Sequence, residues 1–233
     1  MANGFVPYHR MPEHKLVPSV RVYGPGVRLW HWANATMVIV LCITGYFIGV
    51  PPPSILGDAS SSYVMGWIRF LHLAAGYLFA LLSVYRLWLV FTERGIAHHL
   101  YLPAIWRKAW SDGFFRQIRW NLLLDGPVRY VGLNPLANVA MFFMFLLPGL
   151  AVIITGFAMY AEVVGHDSWQ YFWFGWVTHI FGNTLDLHII HRLAMWVMVW
   201  FMMAHIYIAV REDILSRQTV ISTMLSGERQ FRD

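Results

Sequence analysis

Four long runs of apolar residues constrain this sequence more than any other feature. They cover about residues 29–50, 69–91, 136–161 and 188–210 and contain very few charged side chains. A helix of about 20 apolar residues crosses the ~30 Å hydrocarbon core of a bilayer, and irregular backbone cannot face lipid. Only 12% of the 233 residues are charged, about half the fraction in soluble domains. We therefore predict a single membrane domain over residues 1–233, an all-α integral membrane four-helix bundle.

The Lys and Arg residues between the runs predict the orientation. Segments 1–28, 92–135 and 211–233 hold four, six and four of the 17, whereas loops 51–69 and 162–192 hold only Arg69 and Arg192. The positive-inside rule then places both termini and the 92–135 loop in the cytoplasm. The basic pI near 9.5 follows from these segments, so it does not indicate a nucleic-acid partner.

The segments between the runs carry three further expectations. Residues 1–28 have no apolar region of signal-peptide type, so we expect the first run to be retained in the mature protein. The run IWRKAWSDGFFRQIRWNLLL in the 92–135 loop mixes aromatic and basic residues at roughly helical spacing. It favours one or two amphipathic helices at the inner interface, with an ordinary cytoplasmic loop as the alternative. A single cysteine, Cys42, excludes an internal disulfide, an iron–sulfur site and a structural zinc site.

The eleven histidines fall into two groups by position. Six lie in segments between the runs, and we expect them to be solvated or capping residues: His9, His14, His98 and His99 in cytoplasmic segments, His166 and His179 in the second outer loop. The other five, in or beside the apolar runs, are His31, His72, His188, His191 and His205. An ionisable residue inside a membrane is costly, so these are the functional candidates.

Helix geometry arranges four of these five histidines in two pairs. His191 and His205 are fourteen residues apart, which is about 21 Å along a helix and about 40° short of four full turns. They therefore project from one face at two depths. His31 matches the inner depth of His205, and His72 matches the outer depth of His191. His188 is about 100° from His205 around the helix, so we expect an interfacial histidine rather than a ligand.

Paired imidazoles across a helix bundle are suited to the two axial positions of a haem iron. We therefore predict two haem b groups, held by an outer pair and an inner pair. With both axial positions filled, such a site suits electron transfer rather than oxygen activation. Zinc or copper is disfavoured because no carboxylate or thiolate shares these faces. The alternative is a haem-free membrane anchor or a metal-ion transporter, although the sequence shows no internal repeat of the kind that transporters use.

Cationic, small and polar residues near the pairs support this hypothesis. Haem propionates are anionic, and the candidate cations are Arg28 and Arg86 at the inner depth and Arg69 and Arg192 at the outer depth. Small residues that give room to a porphyrin, or only let helices pack closely, are Gly45, Gly76, Gly149, Gly156 and Ala204. Candidates for a quinone site at the inner surface are Asn134, Tyr207 and Arg211, with Glu212 and Asp213 nearby; a helix cap or surface ion pairs are the alternatives.

Five segments resemble a known family. They are VRLWHWANATMVIVLCITGYFIG (27–49), GWIRFLHLAAGY (66–77), LNPLANVAMF (133–142), GNTLDLHIIHRLAMW (182–196) and AHIYIAVREDILSRQTVISTM (204–224). Over nearly the whole chain they resemble the cytochrome b subunit of membrane-bound nickel–iron uptake hydrogenases. The gamma subunit of respiratory formate dehydrogenase is a more distant relative with the same two-haem plan.

The resemblance implies a function and a set of partners. It implies a four-helix di-haem b protein that anchors a hydrogenase on the periplasmic face of the bacterial inner membrane. The hydrogenase small subunit would contribute a transmembrane helix and the iron–sulfur cluster nearest the outer haem, with the large subunit in the same complex. Electrons from H₂ would pass to a membrane quinone, with no hydrogen chemistry in this chain. By position, the resemblance implies the ligands His31, His72, His191 and His205. The alternative within this class is the cytochrome b subunit of a formate dehydrogenase or another periplasmic oxidoreductase.

Overall fold

The computed structural model describes residues 19–53, 63–93 and 101–230, and most of these are helical. Four of the histidines that we expect to be solvated or capping residues lie outside the described residues: His9, His14, His98 and His99. In chain order the elements are β1 (Ser19–Arg21), α1 (Pro25–Gly49), α2 (Val64–Thr92), α3 (Lys108–Asn121), α4 (Pro135–Ala140), a π-helical segment (Met141–Leu146), α5 (Leu147–Val164), α6 (Trp169–Phe181), α7 (Thr184–Leu215), α8 (Val220–Ser226) and β2 (Glu228–Gln230).

Four helices are long and apolar enough to cross a membrane, which confirms the predicted all-α fold with four spans. They are Pro25–Gly49, Val64–Thr92, Pro135–Val164 and Thr184–Leu215. Most extend a few residues beyond the predicted apolar runs, because a helix continues into the interface after its hydrophobic stretch has ended. Large apolar side chains are exposed along all four, for example Ile43, Leu81, Leu150 and Trp200, as expected of surfaces that face lipid. The orientation of the spans stays a prediction, and "inner" and "outer" below refer to it.

Helix ends follow the local sequence. Pro25 and Pro135 begin α1 and α4, where the missing N–H has no helical partner in any case. The Asn183 side chain caps α7 by accepting a hydrogen bond from the Asp186 amide at 2.8 Å. Gly182 ends α6 with a left-handed backbone (φ 73°), so that α6 and α7 are separated by only two residues.

The third span contains a local change of helix type. Residues Met141–Leu146 are π-helical between α4 and α5. Pro148 lies two residues after this segment and has no N–H for the carbonyl one turn before it. A wider turn at this position accommodates the lost hydrogen bond and keeps the span continuous.

The bundle core lies in three layers from the inner to the outer end. The inner layer is formed by Val27, Trp30 and Leu89, the middle layer by Val38, Phe79 and Met198, and the outer layer by Ala158, Val177 and Leu187. Helix α1 packs along α2, and α5 packs along both α6 and α7. The short outer helix α6 therefore joins the core through Val177, although its sequence is too short to span a membrane.

Short elements close the inner end of the bundle. The predicted helix in the 92–135 loop is confirmed as α3, which packs near the start of the third span. β1 and β2 form an antiparallel pair, and α8 packs against α1. Arg229 of β2 donates to the carbonyls of Tyr130 and Gly132 at 2.7 and 3.1 Å, and burial lowers the pKa of its guanidinium. The C-terminal segment is thereby attached to the polypeptide just before the third span.

Candidate functional site: two histidine pairs

The structure places four histidines in two facing pairs. His72 of α2 lies beside His191 of α7, with ring centroids 6.3 Å apart and ring planes at 65°. His31 of α1 lies beside His205 of α7, again with centroids 6.3 Å apart, and ring planes at 50°. These are the outer and inner pairs that helix geometry predicts. Helix α7 thus contributes one ring to each pair, at two depths of the same span.

The spacing within each pair fits one metal ion between two imidazoles. An imidazole nitrogen binds a first-row metal ion at about 2.0–2.1 Å. With ring bonds of about 1.33 Å, the ring centre lies about 1.1 Å behind that nitrogen. Two rings on opposite sides of one ion therefore have centroids about 6.3 Å apart. Both pairs match this value.

The outer pair is held by two threonines that the sequence analysis did not single out. Thr44 Oγ1 of α1 lies 2.9 Å from His72 Nδ1, and Thr155 Oγ1 of α5 lies 2.8 Å from His191 Nδ1. Each ring is thus oriented by a helix other than its own. With Nδ1 engaged, Nε2 is the nitrogen left to bind a metal, an arrangement typical of metal-binding histidines.

The inner pair has a different environment. The Phe201 ring stacks on His205 at 5.5 Å, and Trp32 meets His31 edge-on at 5.1 Å. Within the described residues, three buried nitrogens on the first two turns of α1, which carry His31, have no hydrogen-bond partner: Arg28 Nε, Trp30 Nε1 and His31 Nδ1. Buried donors are normally paired. Donors grouped beside a histidine pair fit the anionic carboxylates that a haem carries.

The family of the chain follows from its match to a known family model. The model described as prokaryotic cytochrome b561 matches residues 22–227. The chain belongs to this family. Its members are b-type membrane cytochromes, so the cofactor is haem b and the chain is a multi-pass membrane protein. The residues at the two pairs fit that cofactor, through their spacing and through the buried donors beside the inner pair.

Curated relatives are similar over nearly the whole length of this cytochrome. It is 48% identical to the probable Ni/Fe-hydrogenase B-type cytochrome subunit of Rhizobium leguminosarum bv. viciae, over 92% of this chain and 90% of the relative. The relative with the same name from Cupriavidus necator is 44% identical, over 94% of this chain and 90% of the relative. The probable Ni/Fe-hydrogenase 1 B-type cytochrome subunit of Escherichia coli K12 is 41% identical, over 93% of both chains. The resemblance drawn from the five sequence segments is confirmed.

The four arginines predicted near the propionates lie at both ends of this cytochrome. Arg86 is buried, with 5% of its surface exposed, and its guanidinium carbon lies 5.5 Å from the Trp30 ring and 5.2 Å from the Tyr101 ring. Arg28 donates from Nη1 to the Leu225 carbonyl. At the outer end Arg69 and Arg192 are exposed. Arg86 is therefore the cation whose charge water screens least.

Arg192 lines a cleft at the outer end. The cleft lies between α1 and α7, and its walls include Gly45, Gly49, Met195 and Trp196. The Arg192 guanidinium lies against Gly49, where any side chain would collide with it. Gly49 is four residues, about one helical turn, from Gly45, which lies against His72 of the outer pair.

The predicted quinone residues are engaged in local contacts. Asn134 caps α4, since its Oδ1 accepts from the Ala137 amide at 2.7 Å. Arg211 donates to Asn121 Oδ1 at 2.9 Å and to the Trp120 carbonyl at 3.0 Å, both on α3. Tyr207 is 67% exposed. No described contact joins Asn134, Tyr207 and Arg211, so a shared quinone site stays a prediction.

Glu212 is the centre of a buried polar cluster. The sequence analysis names this residue only as a neighbour of the candidate quinone residues. Trp120 Nε1 donates to Glu212 Oε1 at 2.6 Å, and Gln117 Nε2 donates to the same oxygen at 3.2 Å. Arg211 Nη1 lies 3.5 Å from that oxygen. The cluster fastens the inner end of α7 to α3, a few residues beyond His205.

The remaining described histidines make local contacts. His188 Nδ1–H donates to the Thr184 carbonyl at 2.8 Å, one turn earlier in α7, and its side chain is exposed. The His166 ring lies 4.1 Å from the Tyr171 ring, and His179 Nε2 lies 3.5 Å from the Tyr171 hydroxyl. These three side chains therefore belong to the outer surface and not to the pairs.

Proposed function

We propose that this cytochrome is the di-haem b electron-transfer subunit of a nickel–iron hydrogenase and anchors that enzyme in the bacterial inner membrane. The observation that carries the proposal is the arrangement of the two pairs on α7. His191 and His205 are about 21 Å apart along the helix, which is most of the thickness of the hydrocarbon core. Haem b at each pair would supply one-electron transfer between H₂ oxidation outside and a quinone near the inner end.

In this proposal the side chains of the chain bind and orient haem, and they do not activate a substrate. Two histidines would hold the haem iron in each pair, and a haem held in this way would supply electron transfer rather than oxygen activation. Arg28 and Arg86 at the inner end, and Arg69 and Arg192 at the outer end, are the candidate partners of the propionates. Arg86 is the strongest of the four, because it is the buried one and water screens its charge least.

The names of the curated relatives support a hydrogenase as the partner. The small subunit would bring a transmembrane helix and an iron–sulfur cluster to the outer end, and the large subunit would bind H₂ in the same complex. Quinone reduction near His205, Asn134, Tyr207 and Arg211 would take its protons from the cytoplasm. Together with H₂ oxidation outside, this would build a proton gradient, which a potential-sensitive dye in quinone-loaded vesicles would detect.

Site-directed labelling tests the orientation. Cys42 is the single cysteine, so Cys42→Ser provides a cysteine-free background. Asp167→Cys and Ser226→Cys then place one exposed thiol at the outer and inner ends. A membrane-impermeant maleimide added to intact spheroplasts is expected to label only the first. Labelling of Ser226→Cys instead would reverse the proposed topology.

Haem content and reduction test the function. A pyridine haemochrome assay on the purified hydrogenase–cytochrome complex should give two b haems per chain. H₂ should reduce both haems in the complex, and a soluble quinone analogue should reoxidise them. A complex from haem-replete cells without haem would indicate a haem-free anchor. Two haems that formate but not H₂ reduces in native membranes would indicate the formate dehydrogenase alternative.

A further inference from the structure

A short sequence recurs at the outer histidine pair. Ile-Thr-Gly followed by an aromatic residue occurs at residues 43–46 in α1 and again at residues 154–157 in α5. The first copy faces His72 and the second faces His191. The threonine and the glycine of one pattern thus meet each ring of this pair from a neighbouring helix.

The hydrogen bonds of each threonine fix the tautomer of its histidine. Thr44 Oγ1 donates its only proton to the Val40 carbonyl at 2.7 Å, because a carbonyl can only accept. The contact of 2.9 Å with His72 Nδ1 is then satisfied only when Nδ1–H donates to the hydroxyl. Thr155 repeats this arrangement, with 2.6 Å to the Ala151 carbonyl and 2.8 Å to His191 Nδ1. Both rings are left with the Nε2 lone pair free.

The glycine of each copy lets the ring approach the helix backbone. A Cβ on Gly45 would lie 3.1 Å from His72 Cε1, and a Cβ on Gly156 would lie 3.3 Å from His191 Cε1. Both distances are shorter than ordinary van der Waals contact, so any side chain there would push the imidazole away. The threonine and the glycine together fix the rotation and the depth of each ring.

The inner pair is different in this respect. His31 Nδ1 is buried and has no hydrogen-bond partner within the described residues. The residues that contact its ring and that of His205 are the aromatic Trp32 and Phe201. Among the described residues, a hydroxyl contacts Nδ1 on both rings of the outer pair and on neither ring of the inner pair.

We propose that Thr44 and Thr155 are positioning residues that lower the midpoint potential of the haem held by His72 and His191. A hydrogen bond from Nδ1–H increases the basicity of an imidazole ligand. A more basic axial ligand stabilises ferric over ferrous iron, and hydrogen bonding around the axial ligands is one of the ways in which proteins set haem potentials. This inference rests on the proposed function, because it requires haem at the outer pair.

Valine substitutions test the proposal, because valine keeps the branched shape of threonine and removes the hydroxyl. We expect Thr44→Val and Thr155→Val each to raise the midpoint of one haem in a spectroscopic redox titration of the purified complex. The double variant should raise it further, while the other haem stays unchanged. His72→Ala identifies the outer haem by its loss. Thr44→Ser and Thr155→Ser keep a hydroxyl and should keep the wild-type midpoint.

A matched control is available on the same helix. The Thr36 hydroxyl donates to the Trp32 carbonyl at 3.0 Å, one turn earlier, in the same way as that of Thr44. Among the described residues, no hydrogen bond joins it to a histidine. Thr36→Val should leave both midpoints unchanged. Loss of the outer haem in Thr44→Val, with retention in Thr44→Ser, would also support the hydroxyl as the determinant.

Other outcomes would overturn the proposal. Two haems with wild-type midpoints in both valine variants would contradict it and leave the proposed function intact. So would loss of haem from the serine and valine variants alike, because the hydroxyl would then not be the cause. A wild-type complex with no haem at His72 and His191 would instead contradict the proposed function itself.

Discussion

The outer and inner histidine pairs have the same spacing but different supports. Both have ring centroids 6.3 Å apart. At the outer pair, each ring is oriented by a threonine hydroxyl on a neighbouring helix. At the inner pair, aromatic rings pack against the histidines, and Arg86 is buried nearby against Trp30. The same bundle therefore supports two similar pairs differently. Neutral hydrogen bonds orient the outer pair, whereas aromatic rings pack against the inner pair and the charged Arg86 is buried at that end.

The difference follows from what each end of the bundle can supply. Within a span, burying a threonine hydroxyl costs little free energy because the hydroxyl can donate to a carbonyl of its own helix. Thr44 and Thr155 both do so. The inner end is closed by α3 and the C-terminal segment, which accept hydrogen bonds from the charged side chains of Arg211 and Arg28. We therefore expect uncharged substitutions to affect mainly the outer haem, and changes of charge to affect mainly the inner one.

Removing one ligand from each pair gives the largest expected effect. His205→Ala should lose one of two haems and block H₂-driven quinone reduction. Reduction of an artificial dye by the hydrogenase should persist, because the dye accepts electrons before this chain. His72→Ala should lose the other haem. Pyridine haemochrome assays on both variants measure these losses.

His188→Ala is the matched control, because among the described residues this exposed histidine donates only to a carbonyl of its own helix. It should retain two haems and full quinone reduction. If His205→Ala abolished dye reduction as well, the residue would be needed for assembly of the complex, and the separation into two pairs would lose its support.

Charge removal distinguishes the two ends by potential. Arg86→Gln should lower the midpoint of the inner haem, since a nearby cation favours the more negative ferrous state. For a buried charge the effect is on the order of 1 kcal/mol or more at an effective dielectric constant of about 20. Arg192→Gln should lower the outer midpoint by less, because water and salt screen an exposed charge.

Lysine variants serve as charge-conserving controls for these arginines. Arg86→Lys should keep the inner midpoint close to the wild-type value in the same redox titration. A shift of the outer haem in Arg86→Gln, with the inner haem unchanged, would contradict the placement of this charge beside the inner pair.

Periodicity and charge were sufficient to predict the spans and the pairing of positions. Fourteen residues between His191 and His205 fix a shared face whatever surrounds the helix, and the four apolar runs are long enough to be unambiguous. Helix α6 was not predicted because its 13 residues cannot span a membrane. Its ends were nevertheless visible in the sequence, since Ser168 and Gly182 are typical cap residues. The β1–β2 pair joins residues about two hundred positions apart, which local patterns cannot reveal.

Other parts of the site depend on which helices become neighbours. The two Ile-Thr-Gly segments were visible as a repeated pattern, but a threonine in a span can be satisfied by its own helix and so gives no signal alone. Arg211 was predicted near a quinone from its depth, whereas the structure places it against Asn121 and Trp120 of α3. The angle of a residue on one helix does not identify the helix that packs there.

The Glu212 cluster allows the mechanical independence of the two ends to be tested. Glu212→Ala removes the acceptor of Trp120 Nε1 and Gln117 Nε2. Leaving buried donors unpaired costs about 1–3 kcal/mol, which should appear as a lower midpoint of thermal unfolding in detergent. The inner haem should be lost at a lower temperature than the outer one. The visible absorption spectrum, recorded during heating, measures the loss of each haem.

Glu228→Ala is the control for this variant, because Glu228 is exposed and, among the described residues, its carboxylate accepts one hydrogen bond, from the Ser19 hydroxyl. Its effect should stay within about 0.5 kcal/mol, as for most surface substitutions. Equal destabilisation of both haems in Glu212→Ala would mean that the two ends unfold as one unit.

The smallest effect is expected from glycine substitutions at the outer pair. Gly45→Ala and Gly156→Ala would place a Cβ 3.1 and 3.3 Å from His72 and His191, so each ring must shift by a few tenths of an ångström. The low-spin ferric EPR signal of the outer haem should shift slightly, and that of the inner haem should not. Gly66→Ala on α2 has open space around its Cβ and should change neither signal. If the inner signal shifted instead, the glycines would act through general helix packing, and the outer pair would not be the more tightly fixed of the two.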